Sequence, residues 1–436
     1  PRVGFNWDVF DNRNTQLRGG TGVFTGRPAY VWISNQIGNT GVLTGFEQLN
    51  NTLARPFNPN PDAYKPTNVT GAPASSYELA LTDPDFKFPQ LWRTNIAVDQ
   101  RVFGWTGTAE FLYSRDVNGI YYINANLPAP QSALVGPDNR PRYTSNRIYS
   151  NVSNAIVLKN QDVGRSWNFS ASLERTFRAG FFVKSAYSYG ESKNTVDAGS
   201  IAFGSWNNNQ HAGDPNNPGL GFAASSPGHR FFIAATYTKQ WFSWGGTSVS
   251  MFWQSNTQGN ASYTFAGDLN GDGGTSNDLI YVPRDVSEMN FQTFTAGGRT
   301  FTAAEQAAAW DAYIKQDPYL SKNRGKYAQR NAVFLPLVHR MDLSISQDVY
   351  LPIMGHKHAF QFRVDALNFL NMINSDWGVG QRLVNAQPLT NPSIDASGRP
   401  TYRLRVVNNE LMSKSYESTA GLSDVWQLQL GIRYTF

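Results

Sequence analysis

Apolar and polar residues alternate along several segments of this chain. In the last of them, Trp426, Leu428, Leu430, Ile432, Tyr434 and Phe436 alternate with Gln427, Gln429, Gly431, Arg433 and Thr435. Successive side chains of a strand point to opposite faces, so one face of this ribbon is apolar and the other small or polar. The same rhythm sets Phe360, Phe362, Val364 and Ala366 against Gln361, Arg363 and Asp365. It also sets Met341, Leu343 and Ile345 against Asp342, Ser344 and Ser346. Trp167, Phe169, Ala171 and Leu173 oppose Asn168, Ser170, Ser172 and Glu174, and near the start Val3, Phe5, Trp7 and Val9 oppose Gly4, Asn6 and Asp8.

The pattern predicts eleven strands, near 2–10, 16–24, 91–103, 104–116, 165–177, 180–190, 228–240, 246–257, 338–350, 357–369 and 425–436. Short and long connections alternate between them. Short turns fall at 11–14, 103–104, 178–180, 241–245 and 351–356. Long excursions fall at 25–90, 117–164, 191–227, 258–337 and 370–424. A soluble sandwich has no reason to put every long loop at one end. A transmembrane antiparallel β-barrel does, with tight turns in the periplasm and long loops outside. The expected fold class is therefore all-β, a membrane barrel with long extracellular loops.

Tryptophan placement agrees with that polarity. Trp105, Trp241 and Trp244 lie at short-turn ends, and Trp92, Trp167, Trp253 and Trp426 at long-loop ends. Indole prefers the headgroup level, so these seven are expected to form two aromatic girdles. The long loops are rich in Asn, Pro, Gly and Ser and read as surface segments. One helix is expected near 302–316, where Thr302 and Glu305 have capping-box spacing ahead of Ala307, Trp310, Tyr313 and Ile314.

Composition narrows the class further. Only 16% of the 436 residues are charged, 14% are aromatic and none is cysteine. Mean hydropathy is nonetheless negative, at −0.42. A wall that is apolar outside and wet inside has this balance. No apolar run is long enough for a helical span. The net charge of +5 is spread out, which gives no case for nucleic acid. No signal peptide is visible at Pro1, and the chain opens inside a strand-like segment, so a lost or processed N-terminus is expected.

These residues resemble a known family. The ending Trp426–Phe436 is similar to the C-terminal strand of outer-membrane barrels. Val364-Asp365-Ala366-Leu367-Asn368-Phe369-Leu370-Asn371 is similar to the penultimate strand of TonB-dependent receptors. Pro1-Arg2-Val3-Gly4-Phe5 and Arg18–Phe24 resemble two of their mid-barrel strands. Gly267–Asp272, followed by Asn277–Pro283, looks like the Oar-like branch, whose members often carry a carboxypeptidase-regulatory-like domain. The resemblance implies a barrel of about 22 strands around a plug. This chain, 1–436, would be its C-terminal half, with the plug, the TonB box and the first half-barrel lying outside it. It further implies a bacterial outer-membrane location in lipid. The implied partners are the missing half-barrel, the TonB complex and the barrel-assembly machinery, which would read Leu430, Ile432, Tyr434 and Phe436.

Candidate chemistry is sparse. Asp268, Asn270 and Asp272, with Asp278 beyond, resemble a calcium loop, since alternating oxygens can wrap a hard cation. Leu279 holds the twelfth position, where an EF-hand has its bidentate Glu, so an Asx-rich turn is the competing reading. His356 and His358 make half a zinc site at most. No G-x-S-x-G, P-loop or dinucleotide fingerprint occurs, and no enzyme is expected. The inward polar set of Asn6, Asp8, Asn95, Asp99, Glu110, Asn168, Glu174, Lys184, Asp342, Gln361, Arg363 and Asp365 reads first as lumen residues bonded to one another. By the resemblance, the expected function is TonB-dependent uptake of a large or scarce ligand that the sequence does not identify. The alternative is a structural or adhesive outer-membrane protein, or a barrel subunit of a larger assembly.

Overall fold

A computed structural model describes residues 1–37, 53–65, 77–353 and 356–436, without the side chains of 353, 356 and 357. Its frame is a sheet whose main path has eleven strands. These are β1 (Arg2–Asp8), β2 (Thr15–Thr25), β3 (Gln90–Val102), β4 (Trp105–Asn124), β5 (Arg165–Thr176) and β6 (Phe181–Asn194). They continue as β7 (Gly228–Trp241), β8 (Gly245–Thr257), β9 (Leu337–Ile353), β10 (His356–Leu367) and β11 (Gln427–Thr435). Each pairs antiparallel with the next in chain order, so the sheet is an up-and-down meander. Among the described residues, β1 and β11 are its two ends.

Register turns the sequence alternation into two surfaces. Val249, Ile345, Val364 and Leu430 lie directly opposite one another across β8, β9, β10 and β11. The adjacent row is Ser250, Ser344, Asp365 and Gln429. The apolar rows are bare: Val3 is 72% exposed, Leu430 73% and Ile432 75%. Apolar area of this kind, repeated on most of the strands, is the lipid-facing belt of a membrane barrel. No described helix is long and apolar enough to cross a membrane.

The tight ends follow from turn chemistry. Phe103 (φ 50°) and Gly104 (φ 80°) are the two residues between Val102 and Trp105. Two positive φ values in a row define the type I′ turn that matches strand twist, and glycine suits the second position.

The buried core lies outside the wall, in the long loops. One cluster gathers Tyr263, Phe265, Ile280, Trp310, Ile314, Leu320, Leu389 and Leu404, and a second gathers Tyr122, Ile156, Leu158 and Trp206. The expected reading of these loops as surface segments is therefore corrected: they fold into a cap with its own interior. Short strands at 152–161 and 77–82 extend β4 upward into that cap. The expected helix is α1 (Ala303–Gln316), with the Thr302 hydroxyl accepting from the Glu305 N–H. It buries Gln306, Trp310, Tyr313 and Ile314 on one face, the spacing of an amphipathic helix.

Candidate functional site: a polar inner face beneath a folded cap

The inner face of the wall carries paired polar side chains. Arg18 Nε donates to Asp99 Oδ2 at 2.9 Å, and Thr108 donates to the other oxygen of Asp99 at 2.7 Å. Asn95 donates to Glu110 at 3.1 Å, and Lys184 pairs with Glu174 at 2.8 Å. Gln361 donates to Asp348 at 2.9 Å, Arg363 to Asp365 at 2.8 Å, and the Asn368 N–H to Asp342 at 2.7 Å. Polar side chains next to water in a lumen satisfy one another across strands in this way. Two recesses open along this face. One, of about 400 Å³, is lined by Thr236, Ser250, Asp342, Ser344, Asp365 and Gln429. The other, of about 330 Å³, lies near the cap and includes Trp32, Arg93, Ser114, Asp116, Gln161 and Asn194.

The seven expected girdle tryptophans sort by strand end. Trp105, Trp241 and Trp244 stand at the tight turns, with Trp105 5.9 Å from Phe177. Trp92, Trp167, Trp253 and Trp426 stand toward the cap; Trp253 stacks on His339 at 5.9 Å, and Trp167 meets Tyr189 edge-on at 5.4 Å. Leu430, Ile432 and Tyr434 lie on the bare apolar face of β11, with Phe436 just beyond it. The side chain of His356 lies outside the described residues. His358 Nδ1 is 2.5 Å from the Tyr434 hydroxyl.

In the penultimate-strand motif, Asn368 (φ 49°) ends β10 in a left-handed bend. Asn371 then donates to the Ser375 and Trp377 carbonyls at 2.9 Å each and accepts from the Trp426 N–H at 3.1 Å. The two asparagines thus fix the outer end of β10 against the start of β11.

The loop from Asp268 to Asp278 is closed by its own hydrogen bonds. Asp268 accepts from the Gly271 and Gly273 N–H groups at 2.6 and 2.8 Å. Asp272 accepts from the Gly274 N–H at 2.6 Å and from the Asn270 amide at 3.1 Å, and His211 Nε2 stands 3.0 Å away. Asp278 accepts from the Leu269 and Asn270 N–H groups at 2.7 and 3.2 Å. Burial, and then the charge of Asp272, push the Asp268 carboxyl up to about 6. Among the described residues, no three His, Asp or Glu side chains are grouped to hold a metal ion.

Sequence reasoning missed Arg140. Its side chain is fully buried. It forks onto both Asp138 oxygens at 2.9 Å, donates to Asp278 Oδ1 at 3.1 Å and donates to the Leu279 carbonyl at 2.7 Å. The Phe265 and Tyr327 rings flank the guanidinium at 5.4 and 5.3 Å. Burial disfavours its charge, but Asp138 and Asp278 outweigh that and raise its pKa. Asp317 does similar work elsewhere in the cap. It accepts from the Tyr263 and Ser415 hydroxyls at 2.6 Å each and from the Leu320 N–H at 2.7 Å. No local signal marks either residue as an anchor of the cap, because the partners that tie it to other loops, Asp278 and Leu279 for Arg140 and Tyr263 and Ser415 for Asp317, are remote in sequence.

An antiparallel wall with one greasy and one wet surface, tight below and capped above, defines an outer-membrane β-barrel protein. The chain belongs to the family described as outer membrane beta barrel domain, whose model matches residues 1–387. It resides in the lipid of the bacterial outer membrane. No curated protein matches the chain. Among solved structures it is similar to the outer membrane transporter YddB from Escherichia coli, at 12% identity and a TM-score of 0.41. That match covers 92% of this chain and 38% of the other. It is also similar to the siderophore receptor PirA from Acinetobacter baumannii, at 8% identity and a TM-score of 0.38, covering 85% of this chain and 36% of that one. The chain thus spans well under half the length of either.

Proposed function

We propose that this chain forms part of the wall, and the outer cap, of a TonB-dependent active transporter that takes up a large or scarce ligand. The observation that carries the reading is the inner face of the wall, where paired polar side chains from Arg18 and Asp99 to Arg363 and Asp365 surround a few apolar ones such as Phe232 and Phe252. A surface anchor has no need of a wet path. TonB dependence enters this reading by the resemblance of the segments at 1–5, 18–24 and 364–371 to receptor barrel strands. An open sheet edge in lipid leaves backbone groups unpaired at several kcal/mol each, so β1 and β11 each require a further partner. Strands of the same transporter, outside this chain, are the partners that fit. A plug inside the completed wall would close the path at rest.

The test compares cells lacking the gene with cells lacking the inner-membrane energising complex. Both are grown on a defined mixture of peptides and metal chelates, and the spent medium is analysed by mass spectrometry. The expected result is that compounds left unconsumed by the first strain are also left by the second. Unchanged uptake with a loss of surface adhesion would overturn transport in favour of the structural role.

A further inference from the structure

Register places three cations side by side on the lipid-facing surface at the cap end of the wall. Arg115 of β4 lies opposite Arg165 of β5, and Arg165 lies opposite Lys193 of β6. All three share strand parity with the outer apolar residues: Phe111 and Tyr113 on β4, Trp167 and Phe169 on β5, and Tyr187 and Tyr189 on β6. Trp92 continues the row on β3, opposite Arg115. The next outward positions toward the membrane are Tyr113 and Trp167, opposite each other. Two residues of strand separate the cations from that girdle, about 7 Å. The row therefore stands at headgroup level.

Like charges directly opposite each other across strands repel. Two carboxylates offset the repulsion in part: Asp162 is 3.7 Å from Arg115, and Glu191 is 3.9 Å from Lys193. Both Arg115 and Asp162 are mostly exposed, so that pair contributes little. Among the described residues, exposed Arg165 has no carboxylate partner. Arg115 and Arg165 are exposed beside an aromatic belt, and Lys193, part-buried with its ammonium over the Phe222 ring at 4.3 Å, closes the row, which suits an anion that arrives from the lipid side. Arginine forks bind phosphate oxygens in pairs.

We infer that Arg115, Arg165 and Lys193 form a binding site for the phosphate of an outer-leaflet glycolipid, whose acyl chains lie on the apolar surface below. The inference rests on the outer-membrane placement of the wall and is independent of transport.

The experiment uses the whole protein extracted from outer membranes into detergent micelles, with bisphosphorylated lipid A as probe and tryptophan fluorescence or native mass spectrometry as readout. The double variant Arg115→Gln/Arg165→Gln is expected to bind roughly 30-fold more weakly, about the loss of two headgroup charges. Lys239→Gln, beside Trp241 at the opposite rim, is the control and is expected to bind as the parent does. Lipid A stripped of phosphate is expected to bind the parent and the double variant equally weakly. If the double variant fails to fold, Lys193→Gln is expected to show a smaller loss in the same direction. Equal binding by the parent and a folded Arg115/Arg165 variant overturns the site, as does an equal loss in the Lys239 control. Inorganic phosphate binding as tightly as the lipid also overturns it, because the anion would then come from solution.

Discussion

At the scale of single residues, Arg140 is the position on which the cap most depends. Removing one partner of a buried ion network leaves the others charged and unpaired, at a cost of about 3–5 kcal/mol. Arg140→Ala is therefore expected to strip protection from residues 263–282 in hydrogen exchange while the wall strands stay protected. Arg140→Lys is expected to recover only part of it, since an ammonium cannot fork onto Asp138 and still reach Leu279. The Asp268–Asp278 loop allows a second test. Its carboxylates already have protein partners, so chelation with EGTA is expected to leave exchange in 263–282 unchanged. Faster exchange that calcium reverses would restore the cation-loop reading. The sequence showed which residues lie in this loop and not what they bond to. Arg140 and Asp278 are separated by 138 positions, and nothing local announces a contact of that span.

At the scale of elements, the wall strands were legible because a half-buried strand writes its two faces into a period of two. The helix was legible because Thr302 and Glu305 mark its start. Thr302→Ala is expected to cost about 1 kcal/mol and to fray residues 303–306, measurable as local exchange. Trp310 is fully buried against Tyr313, so Trp310→Ala is expected to cost about 3–5 kcal/mol, enough to loosen the cap. The cap interior was not legible. Its strands are mostly two or three residues long, too short for any period, and its core residues come from separate loops. Polar composition predicted surface, and tertiary packing overrode it.

For the whole molecule, the two faces of one strand should respond oppositely to the same substitution. Ile345→Arg puts a charge into lipid and is expected to cost about 2–4 kcal/mol, whereas Ser344→Arg on the wet face is expected to cost little. Urea unfolding of the two variants in the same detergent compares them directly. The free ends of the sheet give a further expectation. The chain has no cysteine, so Asn6→Cys with Gln429→Cys introduces the only thiols. Both positions lie on inner-face rows, at opposite ends of the sheet. Within the larger wall proposed above, these thiols should remain unlinked under oxidation in intact outer membranes. A disulfide between them would mean that the eleven strands close on themselves.

The outer end of the wall bears the cap, and the periplasmic end bears little more than hairpins. A chain delivered from the periplasm must therefore thread its bulkiest parts through the bilayer before they have anything to pack against. Insertion of the strands comes first and maturation of the exterior second. Damage to Arg140, Asp317 or Trp310 should then yield protein that is correctly embedded yet ragged at the cell surface, cut by an added protease where the parent resists.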